Sequence, residues 1–285
     1  MLVSVLMTAY NREQFISEAI ESVCNQTYND WELIIVDDGS KDNTVPIARS
    51  YQQKDSRIKI YINECNLGDY PNRNKAVSYA SGELLVFVDS DDAISIDALE
   101  YIVQAFTAFP AANFATIVET VDFSLNAPCQ IDSQEAIRQH FFKKGFLHRG
   151  PGGTVVRRGF FFDIGCFPEH YGPANDMFYN IKAASNSPVL LLPYNFLFYR
   201  EHPGQENKNK FGYLYNTYIY YKDLMLLPEL PLGLHEREYL LLKSKRRFVV
   251  NLWKYFRMTG KVTDIVKAIR LAQFGIVDFI KGIFH

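Results

Sequence analysis

Residues 82–95, GELLVFVDSDDAIS, run from an apolar stretch, Leu84-Leu85-Val86-Phe87-Val88, straight into Asp89, Ser90, Asp91 and Asp92. A short, unbroken apolar run that ends in turn-forming residues reads as a strand buried on both faces. Three carboxylates within four residues then stand at its carboxyl end. Adjacent carboxylates repel, and a buried charge is costly unless it is paired or bound to a metal. Two readings compete. One is a solvated turn in which an Asp starts the next helix. The other is a site for a hard divalent cation, Mn2+ or Mg2+, with phosphate and water completing a shell of carboxylate oxygens.

The same pattern recurs upstream. LVSVLMT (2–8) reads as a buried strand, and 12–27 as a helix whose apolar face is Phe15, Ala19, Ile20 and Val23. WELIIVDDGS (31–40) is a second strand ending in acids, and NTVPIARSYQQ (43–53) a helix. IKIYIN (58–63) and YPNRNKAVSYA (70–80) repeat the pair. After the opening stretch comes SIDALEYIVQAFTAF (95–109), a helix with Ser95 as N-cap and Leu99, Ile102, Val103 and Phe106 inward. Four strand–helix alternations predict an α/β, Rossmann-like fold: a mostly parallel sheet with helices on both faces.

Ligands of such sheets bind beyond the carboxyl ends of the strands. The polar clusters gather there: Thr8-Ala9-Tyr10-Asn11-Arg12, Asp37-Asp38-Gly39-Ser40, Asn66-Leu67-Gly68 with Arg73-Asn74, and Asp89-Ser90-Asp91-Asp92. Turns placed by chance would scatter over both edges, so the acids are read as part of a ligand site. Neither G-x-G-x-x-G after the first strand nor G-x-x-x-x-G-K-[ST] occurs, which argues against a dinucleotide dehydrogenase or a P-loop NTPase. A phosphate ligand can still be held through a metal on the acids. Tyr10 offers a ring face for a base, Asp37 or Asp38 an acceptor for a uracil N–H, and Arg73 a donor to a base carbonyl or a phosphate. The pattern suits a nucleoside diphosphate with a metal.

These residues resemble family 2 glycosyltransferases of the GT-A fold. The resemblance is carried by VSVLMTAYNREQFISEAIESVCNQTYNDWELIIVDDGSKDNT (3–44) and NLGDYPNRNKAVSYASGELLVFVDSDD (66–92). It implies that Thr8, Tyr10 and Arg12 line the nucleotide pocket, that Asp38 with Asp37 holds the base, and that Arg73 reaches base or phosphate. It places Asp89 and Ser90 near the ribose and gives Asp91 the metal. GPGGTVVRRGFFFDIGCFPEHYGPANDMFYNIKAA (150–184) resembles the acceptor region. Asp176 there matches the catalytic base, although Asn175 stands where many members have Glu. His202 matches a histidine near metal or diphosphate. The QxxRW motif of processive synthases is missing, which implies transfer of one sugar at a time. A single displacement would invert the anomeric centre, with Asp176 taking the acceptor proton. An ordinary Asp, with a pKa of about 4, is a weak base for that task. The implied partners are a nucleotide-sugar donor, UDP-linked by family habit, and a glycan or lipid-linked acceptor, in bacterial surface-polysaccharide assembly.

The expected organisation is 1–118 as the nucleotide-sugar half of one domain, 119–205 as its acceptor half, and 206–285 as a helical C-terminal extension. Residues 1–205 carry 16 Lys+Arg against 25 Asp+Glu, and the extension 14 against 7. In KVTDIVKAIRLAQFGIVDFIKGIFH (261–285), Ile265, Ile269, Ala272, Ile276 and Ile280 read as one face of one helix. That face could pack on the body, lie on an anionic membrane or form a homodimer. The four cysteines, Cys24, Cys65, Cys129 and Cys166, are widely spaced, as free thiols in a reducing compartment are. No signal peptide is expected, and no uncharged apolar stretch reaches the roughly 18 residues of a membrane span. The expected location is cytoplasmic, at the inner membrane face. A sugar-nucleotide pyrophosphorylase is disfavoured because TAYNREQF lacks a basic Gly-rich loop. A non-catalytic nucleotide-sugar or glycan-binding module is the alternative to the enzyme. No nucleic-acid partner is expected, because the body is acidic.

Overall fold

The computed structural model describes residues 1–119, 123–202 and 209–284. The four expected strands are β1 (Val3–Ala9), β2 (Trp31–Asp37), β3 (Ile58–Ile62) and β4 (Leu84–Phe87). They pair in parallel in the order β3-β2-β1-β4. Between and after them run α1 (Ile16–Cys24), α2 (Thr44–Gln52), α3 (Asp69–Ser78) and α4 (Ala98–Ala108). Side chains alternate across each strand, so a run apolar at every position feeds both faces. Val3, Val5 and Met7, Leu33 and Ile35, and Leu84, Val86 and Val88 pack on one side with α1, α2 and α4. Leu6, Ile34 and Val36, and Leu85 and Phe87 pack on the other with α3.

The sheet continues with β6 (Phe114–Ile117), β7 (Cys129–Ile131), β8 (Thr154–Arg157) and β9 (Val189–Leu192), giving eight strands in the order β3-β2-β1-β4-β8-β6-β9-β7. Here β8 runs antiparallel to β4 and β6, and β7 antiparallel to β9, while β6 and β9 are parallel. Helices α5 (Ser133–Phe142), α6 (Arg158–Asp163) and α7 (Asn175–Asn186) cover this half. The sheet thus joins both expected halves of the domain. A two-stranded ladder crosses its carboxyl edge. It pairs β5 (Ala93–Ile94), just past the acids, with β10 (Leu197–Phe198), and brings residues 199–202 over them.

The C-terminal helices are α8 (Lys210–Leu224), α9 (Leu234–Thr259), α10 (Val262–Leu271) and α11 (Ile276–Phe284). Tyr220, Tyr221 and Leu224 of α8 and Leu240 of α9 are buried in the same core as β4 and α7. Leu214, Tyr218, Phe248, Leu252, Ala268 and Phe274 form a further cluster among α8, α9 and α10. The boundary expected at 205/206 lies outside the described residues.

Two local expectations are corrected. Helix α4 starts at Ala98 with Asp97 as its N-cap, not at Ser95, whose hydroxyl accepts a hydrogen bond from Tyr194 instead. The last helix is two helices. Gln273 adopts a left-handed φ of 51°, its N–H bonds to Arg270 O at 3.0 Å, and the Phe274 N–H bonds to Ile269 O at 3.0 Å. That is a Schellman stop. It turns Phe274 inward against Tyr218 and Phe248 and separates Ile265, Ile269 and Ala272 from Ile276 and Ile280.

Candidate functional site

The carboxyl edge of the sheet opens into a cleft of about 590 Å3. Thr8, Tyr10 and Arg12 reach it from the end of β1, Asp38 from beyond β2, Arg73 from α3, Asp89, Ser90 and Asp91 from beyond β4, and Asp176 from α7. Thr8 and Asp176, 168 positions apart in the chain, therefore line one cleft. Tyr10 is 44% exposed and presents its ring to the opening. Asn11 holds the loop after β1 in a left-handed turn (φ 53°), with its N–H donating to Ser40 Oγ at 2.9 Å and its Oδ1 accepting from Lys41 N at 2.8 Å. The ends of β1 and β2 are thereby fixed to each other.

Asp37 is absent from the lining. It is buried, and its carboxylate accepts from Gly39 N, Ser40 N and the Ser40 hydroxyl, so it builds the turn. Asp38 does line the cleft, and also accepts from Asn63 Nδ2 at 2.8 Å, Leu67 N at 2.8 Å and Gly68 N at 2.9 Å. One carboxylate thus fastens the loop before α3 to the end of β2, and Gly68 (φ 90°) supplies the backbone this needs. Arg73 is buried between two acids: Nε donates to Asp69 Oδ1 at 2.8 Å and Nη1 to Asp89 Oδ1 at 2.6 Å. Burial pulls its pKa down, but the two carboxylates outweigh that and raise it well above its ordinary value.

Asp89, Asp91 and Asp92 bring carboxylate oxygens within 4.8 Å of one another. One oxygen, Asp91 Oδ2, already has two partners, Arg12 Nε, which donates to it at 3.1 Å, and His202 Nε2 at 2.7 Å. The His202 ring stacks on Phe15, the N-cap of α1, at 4.9 Å between ring centres. Asp92 is buried. Desolvation pushes its pKa up to about 7, against the opposing pull of the Arg200 N–H that it accepts at 3.0 Å. Asp176 is buried at the start of α7. Burial raises it to about 7, while bonds from its neighbour's Met177 N–H and the Tyr70 hydroxyl, with Arg73 nearby, pull the other way. Asn175 does no such work. It ties the preceding loop, with Oδ1 accepting from Tyr171 N and Nδ2 donating to Gly172 O.

Several lining or supporting residues carried no signal of their own in the sequence. Tyr199 lines the cleft and Arg200 Nε donates to Asp91 O at 3.0 Å, both delivered by the β5–β10 ladder. Asp69, Tyr70, His148 and Tyr213 also line it. Of these only Asp69 had a sequence signal, its i, i+4 spacing to Arg73 on a helix.

A match to the family model Glycosyl transferase family 2 extends over residues 4–165, more than half of the sequence. The chain belongs to glycosyl transferase family 2. Among curated relatives of this family, the Escherichia coli UDP-Glc:alpha-D-GlcNAc-diphosphoundecaprenol beta-1,3-glucosyltransferase WfgD is 46% identical over 99 residues, 35% of this chain and 38% of that protein. The chain spans well under two thirds of the first curated relatives' lengths. Staphylococcus aureus TarS 1-349 in complex with UDP-GlcNAc superposes with a TM-score of 0.76 at 23% identity, covering 99% of this chain and 82% of that one. The mannosyltransferase PcManGT of Pyrobaculum calidifontis, in complex with GDP-Man and Mn2+, does so at 0.60 and 16%, covering 98% and 85%. At these identities the solved structures show the fold, which is the GT-A fold of this family.

Proposed function

We propose that this family 2 chain transfers single sugars from a nucleoside-diphosphate sugar, a UDP-sugar, to a hydroxyl of a glycan or lipid-linked acceptor, with inversion and with a divalent cation, in surface-polysaccharide synthesis. The observation that carries the reading is the placement of buried Asp176 in one cleft with Asp89, Ser90 and Asp91. A UDP-sugar and a lipid-linked acceptor are favoured by the names of WfgD and the TarS complex. Free thiols at all four cysteines fit a reducing, cytoplasmic setting.

The acid cluster fits Mn2+ or Mg2+: its donors are hard oxygens close enough to share an ion. Asp91 would hold it, with Asp89, Asp92 and His202 around it. Bound there, the cation would neutralise charge on the diphosphate leaving group. Tyr10 stacks on the base. Asp38 accepts from its N–H through whatever acceptor capacity the loop leaves it. Arg12, now on Asp91, is the guanidinium that can turn to phosphate, whereas Arg73 is committed to Asp69 and Asp89 and sets the position of Asp89. Asp176 accepts the proton of the attacking hydroxyl. Its pKa of about 7 makes it a stronger base than an ordinary Asp while leaving it substantially ionised at neutral pH.

A thermal-shift panel of UDP, GDP, dTDP, CMP and UDP-sugars, each with Mn2+ and with chelator, tests the donor half, because a ligand of the native state raises its stability by mass action. Stabilisation by UDP that needs Mn2+ and is lost in Asp91→Ala is the expected result. UDP release from a UDP-sugar in the presence of acceptor tests the rest. Donor binding without any turnover would instead support a binding module.

A further inference from the structure

We propose that the outward face of α11, with the neighbouring edge of α9, is a docking surface for an anionic lipid bilayer. Helix α11 is apolar on both sides. Its inner side lies hard against α9: a Cβ on Gly282 would stand 3.0 Å from Val249 Cγ2 and 3.1 Å from Lys245 O. Phe279 joins the neighbouring cluster, and Asp278 pairs with Lys245 at 2.8 Å. At 100° per residue, Ile276, Val277, Ile280 and Ile283 fall on the side opposite or flanking that contact. They are 80%, 64%, 53% and 59% exposed. A helix end that has found its core and still presents four large aliphatic side chains to water marks an interaction surface.

The charge around that face names the occupant. Residues 234–284 carry 11 Lys+Arg against 4 Asp+Glu. Two of the acids are spent locally, Asp278 on Lys245 and Glu236 on Arg138. Lys254, Arg257, Lys261 and Lys281 are exposed. Trp253, 60% exposed, sits on α9 beside Lys254, one turn before Arg257. Aliphatic residues that insert, a Trp at their edge and a basic surround are the composition of a helix lying in an anionic membrane interface. A second copy seated on this face would set the basic edge against itself, which like charges oppose. Helix α8 links the face to the chemistry: Tyr213 lines the cleft, and Tyr218 packs against Phe274 at the head of α11. The inference deepens the proposed function by placing its acceptor at a lipid surface.

Co-sedimentation of the full chain with vesicles of phosphatidylcholine, with or without phosphatidylglycerol, tests it without donor or acceptor. The expected result is binding to the anionic vesicles only, weakened by salt. Ile276→Ser with Ile280→Ser should reduce it by more than about tenfold, and Lys254→Glu with Arg257→Glu by roughly 25-fold or more at low salt. All four sites are exposed, so unchanged melting temperatures confirm intact folding. Failure of the full chain to sediment, or undiminished sedimentation of the double variants, overturns the proposal. So does a dimer in sedimentation equilibrium that Ile276→Ser with Ile280→Ser dissociates. Vesicle binding that survives alongside absent turnover would reject the transferase reading and leave this one in place.

Discussion

Asp176 owes its chemistry to burial, and burial has a cost that can be measured apart from catalysis. Its folded pKa of about 7 lies above the value of about 4 in an unfolded chain. Below pH 4 both states carry the proton. Between about 4 and 7 the unfolded chain loses it while the folded one keeps it, so stability falls across that window. Asp176→Asn keeps the shape and removes the charge. The variant should melt several degrees higher than the parent at pH 8 and no higher at pH 4, while turnover drops by about 10²–10⁴-fold. Parent kcat/KM should climb with pH and level off above about 7. Scanning calorimetry and a pH–rate profile check the two halves; equal melting gains at both pH values, or a flat profile, would refute the assignment. Asp38 and Asp91 were legible in the sequence because their acid clusters follow apolar runs, whereas Asp176 was reached only through the resemblance of residues 150–184 to the family's acceptor region. Arg200 and Tyr199 were not legible, because a two-residue ladder to β5 brings them to the site and two residues leave no periodicity. Nor did the sequence separate Asp37 from Asp38: adjacent acids in a turn look alike until the hydrogen bonds of Gly39 and Ser40 claim one of them.

At the scale of elements, the acid that organises the sheet is Glu32, inside an otherwise apolar strand. Ser4 Oγ on β1 donates to it at 2.7 Å, Lys59 Nζ on β3 at 2.7 Å, and Ser81 N and Oγ before β4 at 2.6 and 2.7 Å. Burial alone would raise its pKa, but these donors win and hold it at about 2. Because the folded value lies below the unfolded one, its contribution is present above about pH 4 and is lost as pH falls through about 2. Glu32→Ala leaves those donors without an acceptor and should destabilise the protein by about 3 kcal/mol at pH 7, and by little near pH 2. Urea unfolding at the two pH values decides it; a cost that does not shrink with acid would mean that packing, not charge, is what the mutation removes. The frame of β1–β4 could be read directly from its apolar runs, in which polar positions such as Ser4, Glu32 and Lys59 are too few to break the pattern. The break between α10 and α11 could not. Its left-handed position is filled by Gln273 rather than glycine, so the usual stop signal is missing and the 4, 3, 4, 4 spacing runs on through it.

Over the whole molecule, the C-terminal helical region shares the core on one face of the α/β sheet. Tyr220, Tyr221, Leu224, Met225, Leu230, Leu232 and Leu240 are all buried in the cluster that also holds Phe87, Phe161 and Tyr179. Fully burying one such side chain contributes about 1.5–3 kcal/mol. Seven of them together contribute on the order of 10–20 kcal/mol before the discount for a compact unfolded chain, as much as the 5–15 kcal/mol by which a domain is stable at all. The Tyr171 hydroxyl also bonds to Asp223 at 2.9 Å, which fixes the loop before Asp176 to α8. A fragment ending at residue 202 keeps every strand and every acid of the cleft. It should nevertheless fail to unfold cooperatively, bind apolar dye, and lose Mn2+-dependent nucleotide stabilisation. A fragment ending at 259 keeps α8 and α9 and should retain a cooperative transition at a lower temperature, because it loses the part of the third cluster that α10 and α11 supply, Ala268, Ala272, Phe274 and Phe279, and the Asp278–Lys245 pair, but none of the core shared with the sheet. Calorimetry of the two fragments separates the alternatives. A sharp transition in the shorter one would make the C-terminal helices a true appendage, and would place the wall that carries Asp176 wholly within the α/β sheet.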